Sequence, residues 1–176
     1  MTEPLRQFPL LPPNRPADEL EREVLERWRT ERLFQRTLEA HAGAKSFVFF
    51  EGPPTANGRP GIHHVFARTV KDLFCRHRAA KGFHVLRKAG WDTHGLPVEI
   101  EVEKQLGISG KQQIEEIGVE RFNALCRESV WKDRGEWQTL SERIGYWLDY
   151  ENGYVTYTDD YLESVWWALH RLYERE

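Results

Sequence analysis

Two adjacent histidines, His63 and His64, close the segment PPTANGRPGIHH, which runs from Pro53 between the apolar run FVFF and the stretch VFARTVKDLF. A Gly-containing loop that feeds a helix N-terminus is a ready anion site, because unpaired backbone N–H groups and the helix dipole both favour negative charge there. Imidazoles in the first helical turn add donors for phosphate oxygens. The spacing is not that of GxxxxGK[ST], no lysine follows the glycines, and GxGxxG is absent, which excludes a P-loop. Metal ligation is disfavoured by the same spacing. Neighbouring helix positions project about 100° apart, whereas zinc pairs on helices sit at i and i+4; His94 could join one of them across the site, but a lone pair of that kind is weak evidence for a metal. Solvated histidines at a surface helix cap are the bland alternative, which the loop leaves open.

Asp92, in the segment WDTHGLP, is the second residue whose setting suggests chemistry. A carboxylate between Gly90 and Gly95 suits the ammonium group of an amino acid or sugar, while the opposite loop serves a phosphate. The alternative is that Asp92 merely caps the next turn, and spacing does not choose between them.

These loops need elements to hold them. Phe47 to Phe50 read as a short buried strand stopped by Gly52, Pro53 and Pro54. Ile62, Val65, Phe66, Thr69, Val70, Leu73 and Phe74 recur at helical spacing, which places the histidines in the first turn of an amphipathic helix. GFHVLRKAG is a second strand candidate. Strand, helix, strand is the parallel crossover unit; it brings both loops to the C-terminal edge of one sheet, where ligands of open parallel sheets bind. The two loops are expected to face each other.

Before this unit, LRQFPLLPPNRP is proline-rich and expected to be extended. A charged packing helix follows from about Ala17, with Leu20, Val24 and Trp28, then Phe34 and Leu38, on one side. Beyond Pro97, Val98, Val102 and Leu106 predict a helix that breaks between Gly107 and Gly110, with Ser109 as cap of the next. A long helical stretch from Glu120 carries Phe122, Leu125, Cys126, Val130, Trp137, Leu140, Ile144 and Trp147 or Leu148. The seven tryptophans are expected on these helices as core. YENGYVTYTDD reads as a turn or short hairpin before a last helix capped by Thr158. There is no internal repeat or low-complexity tract.

At 176 residues, 40% hydrophobic and 30% charged, the chain is globular in composition. A net charge of −3 and a pI near 6.2 give no global basic footprint. Cys75 and Cys126 have no CxxC partner, against a disulfide framework or zinc knuckle in this segment. The start resembles neither a signal peptide nor a spanning helix, and the expected setting is the cytoplasm, away from membranes. YLESVWWALHRLYERE is amphipathic through Leu162, Val165, Trp166, Leu169 and Leu172 and stops without a cap, so the chain reads as the N-terminal part of something longer, with apolar surface left exposed.

FFEGPPTANGRPGIHH together with AGWDTHGLPVEIEVEKQLG resembles the N-terminal catalytic region of class I isoleucyl-tRNA synthetases, and the similarity continues through ERFNALCRESV, SERIGYWLDY and ESVWWAL. GWDTHGLP speaks for isoleucine, since valine enzymes resemble GTDHAG there and leucine enzymes GWDAFGLP. The resemblance implies an α/β fold, the first half of a Rossmann-like class I catalytic domain with an N-terminal helix and following long helices. It divides the chain into an extension and helix at 1–45 and a catalytic part at 46–176, cut before the editing domain and the KMSKS signature. It implies activation of isoleucine with ATP to isoleucyl-adenylate, and transfer to isoleucine tRNA. Magnesium is expected with ATP, zinc only in parts of the family outside this segment, and the family is usually monomeric.

By position, the resemblance assigns Gly52, Pro53 and Asp92 to the amino acid, Pro60, Gly61, His63 and His64 to ATP, and the catalytic role to His64 and His63. The family signature is HxGH, whereas Gly61-Ile62-His63-His64 exchanges the first and third positions. That exchange resembles a bacterial variant less sensitive to the adenylate mimic mupirocin, so weak inhibition is expected. Without KMSKS the isolated segment is expected to be inactive or nearly so. Two alternatives stand beside this: another nucleotidyltransferase with an HxGH-like loop, and a non-catalytic synthetase-like paralogue that binds an amino acid, a nucleotide or a partner protein.

Overall fold

Three parallel strands in the order β1-β2-β3 carry the two loops: β1 (Phe49–Phe50), β2 (Arg87–Trp91) and β3 (Asp149–Val155). The computed structural model describes residues 14–175, so most of the proline-rich opening lies outside the described residues. Phe49 and Phe50 pair with Arg87 and Lys88, and the pairing reaches back through a bridge between Ser46 and His84. β1 is thus shorter than the expected strand from Phe47 and is not buried, with Val48 and Phe50 61% and 59% exposed, although the Phe47 N–H still donates to the His84 carbonyl at 2.9 Å.

The crossover helix α3 (Ile62–Ala80) joins β1 to β2 and begins with the histidines in its first turn. Its covered face is the charged one. Arg68 and Cys75 are buried, and the Arg87 guanidinium, itself buried, reaches Asp72 at 2.8 Å. The apolar stripe named from the sequence points outward instead: Ile62, Phe66, Leu73 and Phe74 are 83%, 73%, 65% and 61% exposed. A charge next to the sheet is tolerable only when paired, and α3 meets its partners there.

From β2 the chain passes through α4 (Leu96–Leu106), α5 (Lys111–Ile117), α6 (Val119–Ser129) and α7 (Arg134–Arg143) before β3. Val98 and Val102 of α4 are buried as their spacing predicts, as is Phe122 of α6. Gly110, not Ser109, is the N-cap of α5; its φ of 84° is a backbone that serine would adopt only under strain. The long stretch expected from Glu120 is two helices, because the chain turns between Ser129 and Arg134.

The expected hairpin at YENGYVTYTDD is corrected: it contains most of a parallel strand. Lys88 pairs with Asp149 but Gly90 with Tyr154, so a bulge takes up the intervening residues. The Asn152 backbone and side chain both donate to Asp149, at 3.0 and 2.8 Å, which explains the turn-like composition within a strand. Helix α8 (Asp159–Tyr173) follows with Thr158 at its N-cap, yet the Thr158 hydroxyl donates to the Val155 carbonyl rather than into the helix.

Helices α1 (Ala17–Thr30) and α2 (Leu33–Ala40) dock through Trp28 and Phe34, which pack against Trp147, and through Arg143, which bridges Asp18 and Glu21 at 2.6 and 2.8 Å. The tryptophans depart from their expected role. Trp91 and Trp137 are core, but Trp91 lies on a strand, and Trp166 and Trp167 on α8 are 71% and 65% exposed. Among the described residues no helix is long and apolar enough to cross a membrane.

Candidate active site

The segment between β1 and α3 is tied to the segment after β2 at three points. The Asp92 N–H donates to the Pro54 carbonyl at 3.0 Å, and the Thr55 hydroxyl to the Asp92 carboxylate at 3.4 Å. Further on, the Asn57 amide donates to the Pro97 carbonyl at 3.1 Å. The two loops therefore lie side by side at one sheet edge, which is what parallel β1 and β2 require. Gly52 and Pro53 precede this junction. Asp92 is partly exposed, with His94 Nδ1 3.8 Å from its carboxylate. Among the described residues no hydrogen bond or ion pair joins Asp92 to His63 or His64.

The first loop is also held from below. The Asp133 N–H donates to the Ala56 carbonyl at 2.9 Å, and the Trp137 indole N–H to the Gly58 carbonyl at 2.8 Å. Ala56, Trp91 and Trp137 form one buried cluster under the junction. The second loop is anchored to the end of β3, where the backbone N–H and hydroxyl of buried Thr93 each lie 3.0 Å from the Thr156 hydroxyl.

Gly61 is the N-cap of α3, and its N–H donates to His64 Nδ1 at 2.9 Å. This is half of a capping box, since glycine has no side chain to return the bond. A nitrogen that accepts cannot carry the proton, so the neutral His64 ring holds its hydrogen on Nε2, free to donate. Burial lowers the pKa of His64, and the neighbouring His63, Arg68 and Lys71 push it the same way. The ring also stands edge-on to Trp137, with centroids 4.6 Å apart. His64 is thus a fixed, neutral donor at a helix N-terminus.

His63 is exposed, and its ring packs on that of His64 with centroids 3.8 Å apart, closer than two divergent helix positions suggest. It also folds over Gly61: a Cβ at 61 would come within 3.0 Å of His63 Cε1. A side chain at 61 would have to displace that exposed ring by a few tenths of an ångström, while the φ of −104° is itself ordinary. Among the described residues no group of three or more His, Cys, Asp or Glu could hold a metal ion.

Residues 23–176 match the model of the tRNA synthetases class I (I, L, M and V). The chain belongs to this family. It is similar to isoleucine–tRNA ligase from Thermobifida fusca, 50% identical over 173 residues, which is 98% of this chain and 16% of that protein. It is 54% identical over 153 residues to isoleucine–tRNA ligase from Porphyromonas gingivalis, covering 87% of this chain and 14% of that one. The chain therefore spans about a sixth of the length of these relatives. Its backbone resembles, with a TM-score of 0.59 and 19% identity, the crystal structure of a ternary complex of Agrobacterium radiobacter K84 agnB2 LeuRS with tRNA and LeuAMS, over 89% of this chain and 18% of that one. This agrees with the expected α/β class: a small parallel sheet with helices, as in a fragment of a class I synthetase catalytic domain.

Sequence reasoning missed the residues that support the loops: Glu51, Arg68, Trp137, Thr93 and Thr156. Glu51 carried the one available signal, a charge that ends an apolar run immediately before the first loop.

Proposed function

We propose that the chain is the N-terminal catalytic part of an isoleucine–tRNA ligase, which joins isoleucine to ATP and passes the acyl group to isoleucine tRNA. The observation that carries this reading is the junction of the two loops, Thr55 beside Asp92, in a chain half identical to isoleucine–tRNA ligases. Residues 1–45 form the extension and 46–176 the first part of the catalytic domain. The protein works in the cytoplasm as a monomer.

In this reading, Asp92 takes the ammonium group of isoleucine while Gly52 and Pro53 bound the side chain. Pro60, Gly61, His63 and His64 meet ATP. His64 donates from Nε2 to a phosphate oxygen as negative charge redistributes, and the α3 N-terminus adds its dipole. Attack by the isoleucine carboxylate on the α-phosphate needs no covalent enzyme intermediate, so the residues act by orientation and charge stabilisation. Magnesium would come with the ATP phosphates and offset their charge, while the imidazoles and backbone N–H groups at the start of α3 would meet the remaining phosphate oxygens.

The test is isoleucine-dependent exchange of labelled pyrophosphate into ATP by the full-length protein that contains this segment, with valine and leucine as controls. Exchange with isoleucine is expected, with the weak inhibition by mupirocin that the resemblance of Gly61-Ile62-His63-His64 to the less sensitive variant implies. Asp92→Ala is expected chiefly to raise KM for isoleucine, and His64→Ala chiefly to lower kcat. No exchange with any amino acid from folded protein overturns the reading in favour of a non-catalytic paralogue.

A further inference from the structure

Glu51 stands between β1 and Gly52, is 2% exposed, and has every polar group engaged. Its N–H donates to the Lys88 carbonyl at 3.0 Å, and its carbonyl accepts from the Tyr154 hydroxyl. One carboxylate oxygen takes Lys71 Nζ at 2.9 Å, with Arg68 Nη2 at 3.8 Å; the other accepts from the Tyr146 hydroxyl. Lys71 and Arg68 belong to α3, Tyr154 to β3, and Lys88 to β2. A single residue therefore ties all three strands to the helix that bears the histidines.

The connection continues to His64. Arg68 lies one turn beyond it, and the Arg68 guanidinium sits 5.0 Å from the centre of the Trp137 ring, on which His64 stands edge-on. Arg68 also donates to the Ser141 hydroxyl and reaches the Tyr150 hydroxyl at 3.4 Å. On the other side, Tyr154 reaches Glu51 only because residue 90 is glycine: a Cβ there would lie 2.2 Å from the Tyr154 ring. Lys71 Nζ is itself 3.8 Å from where a Cβ on Gly52 would be.

We propose that Glu51 is a positioning residue that holds the amino-acid loop, through Gly52 and Pro53, in register with the phosphate-binding histidine helix. Attack of a carboxylate on a phosphorus atom depends steeply on that register, and Glu51 is the covalent neighbour of one party and the ion-pair partner of the other. The inference rests on the ligase reading of the same site.

Its test uses the full-length protein, pyrophosphate exchange and thermal unfolding, with Asp72→Asn as comparator. Asp72 is a carboxylate on α3 that pairs with the sheet through Arg87, and among the described residues no hydrogen bond or ion pair joins it to Glu51. Glu51→Gln is expected to lower kcat by about 100-fold, the loss associated with a displacement near 1 Å, while KM for isoleucine and for ATP each stay within about threefold. Asp72→Asn is expected to lower the unfolding midpoint with kcat retained. Should Glu51→Gln not fold, Tyr154→Phe removes only the hydroxyl that holds the Glu51 carbonyl, with an expected fall in kcat of about tenfold. An unchanged kcat in the folded variant, or kcat losses that track the midpoint equally in the Glu51 and Asp72 variants, overturns the positioning role alone. No exchange by the unsubstituted protein overturns the ligase reading and this inference together.

Discussion

Helices α3 and α4 both announce themselves by apolar residues at helical spacing, yet they use those residues in opposite ways. Val98 and Val102 of α4 are each 1% exposed, whereas Ile62 and Phe66 of α3 are 83% and 73% exposed. The covered face of α3 carries His64, Arg68, Lys71, Asp72 and Cys75, spaced at i, i+4, i+7, i+8 and i+11. Two ion-paired groups at the strand ends, Glu51 and Arg87, await that face. Periodicity finds the stripes on a helix; the charges it meets decide which one faces the sheet, because an unpaired buried charge costs more than an exposed apolar side chain.

The largest expected effect comes from breaking the charged face. Arg68→Met keeps much of the volume but leaves Glu51 short of a cation and Ser141 short of a donor. Removal of one partner of a buried ionic cluster costs about 3 kcal/mol, measurable from the urea unfolding midpoint. On α4 the matching cut is Val102→Ala, where two lost methyl groups and a partial cavity cost about 2 kcal/mol. If the Arg68 variant proves the more stable of the two, the charges do not hold α3, and the contrast between the helices fails.

Legibility in the sequence divides along the same line. The loops could be read because Pro53, Pro54, Gly58, Pro60 and Gly61 punctuate the chain between a β-type run and a helical period, and two parallel strands then bring the loops to one edge. The α4 stripe could be read because it is buried in the ordinary way. The α3 orientation could not, since it depends on Glu51 and Arg87, which no local period links to Arg68 and Asp72. β3 was hidden by its bulge, where Glu151, Asn152 and Gly153 carry turn chemistry inside a strand. Trp137, which supports both His64 and Gly58, lies more than 70 residues from either and looked like any core aromatic.

His64 lies at the edge of the charged face and sharpens the comparison through pH. Its pKa is lowered, first by burial and then by His63, Arg68 and Lys71, so the folded state favours the neutral ring relative to the unfolded chain. Stability from this group is therefore full above the ordinary histidine pKa and is lost as pH falls through the lowered one. Between about pH 7.5 and about pH 5.5 the parent chain is expected to lose more stability than His64→Gln, by a modest margin because the ring is only partly covered. A nitrogen-15 titration of the ring checks the cause: below the transition Nδ1 gains a proton and the bond from the Gly61 N–H is lost. An equal pH dependence in both chains would mean that neither burial nor these neighbours lowers the His64 pKa in the folded chain.

The smallest effect belongs to the outward stripe and tests the other half of the contrast. Phe66 is 73% exposed, so Phe66→Lys in the 176-residue chain removes little buried area. Lysine is also at least as good a helix former as phenylalanine. The expected change is within about 0.5 kcal/mol, with lower self-association because Phe66 is one of several exposed apolar side chains on α3, with Ile62, Leu73 and Phe74. Urea unfolding and sedimentation read the two quantities separately. A loss as large as that of Val102→Ala would mean that Phe66 is packed in solution, and α3 would then be held by its apolar stripe after all.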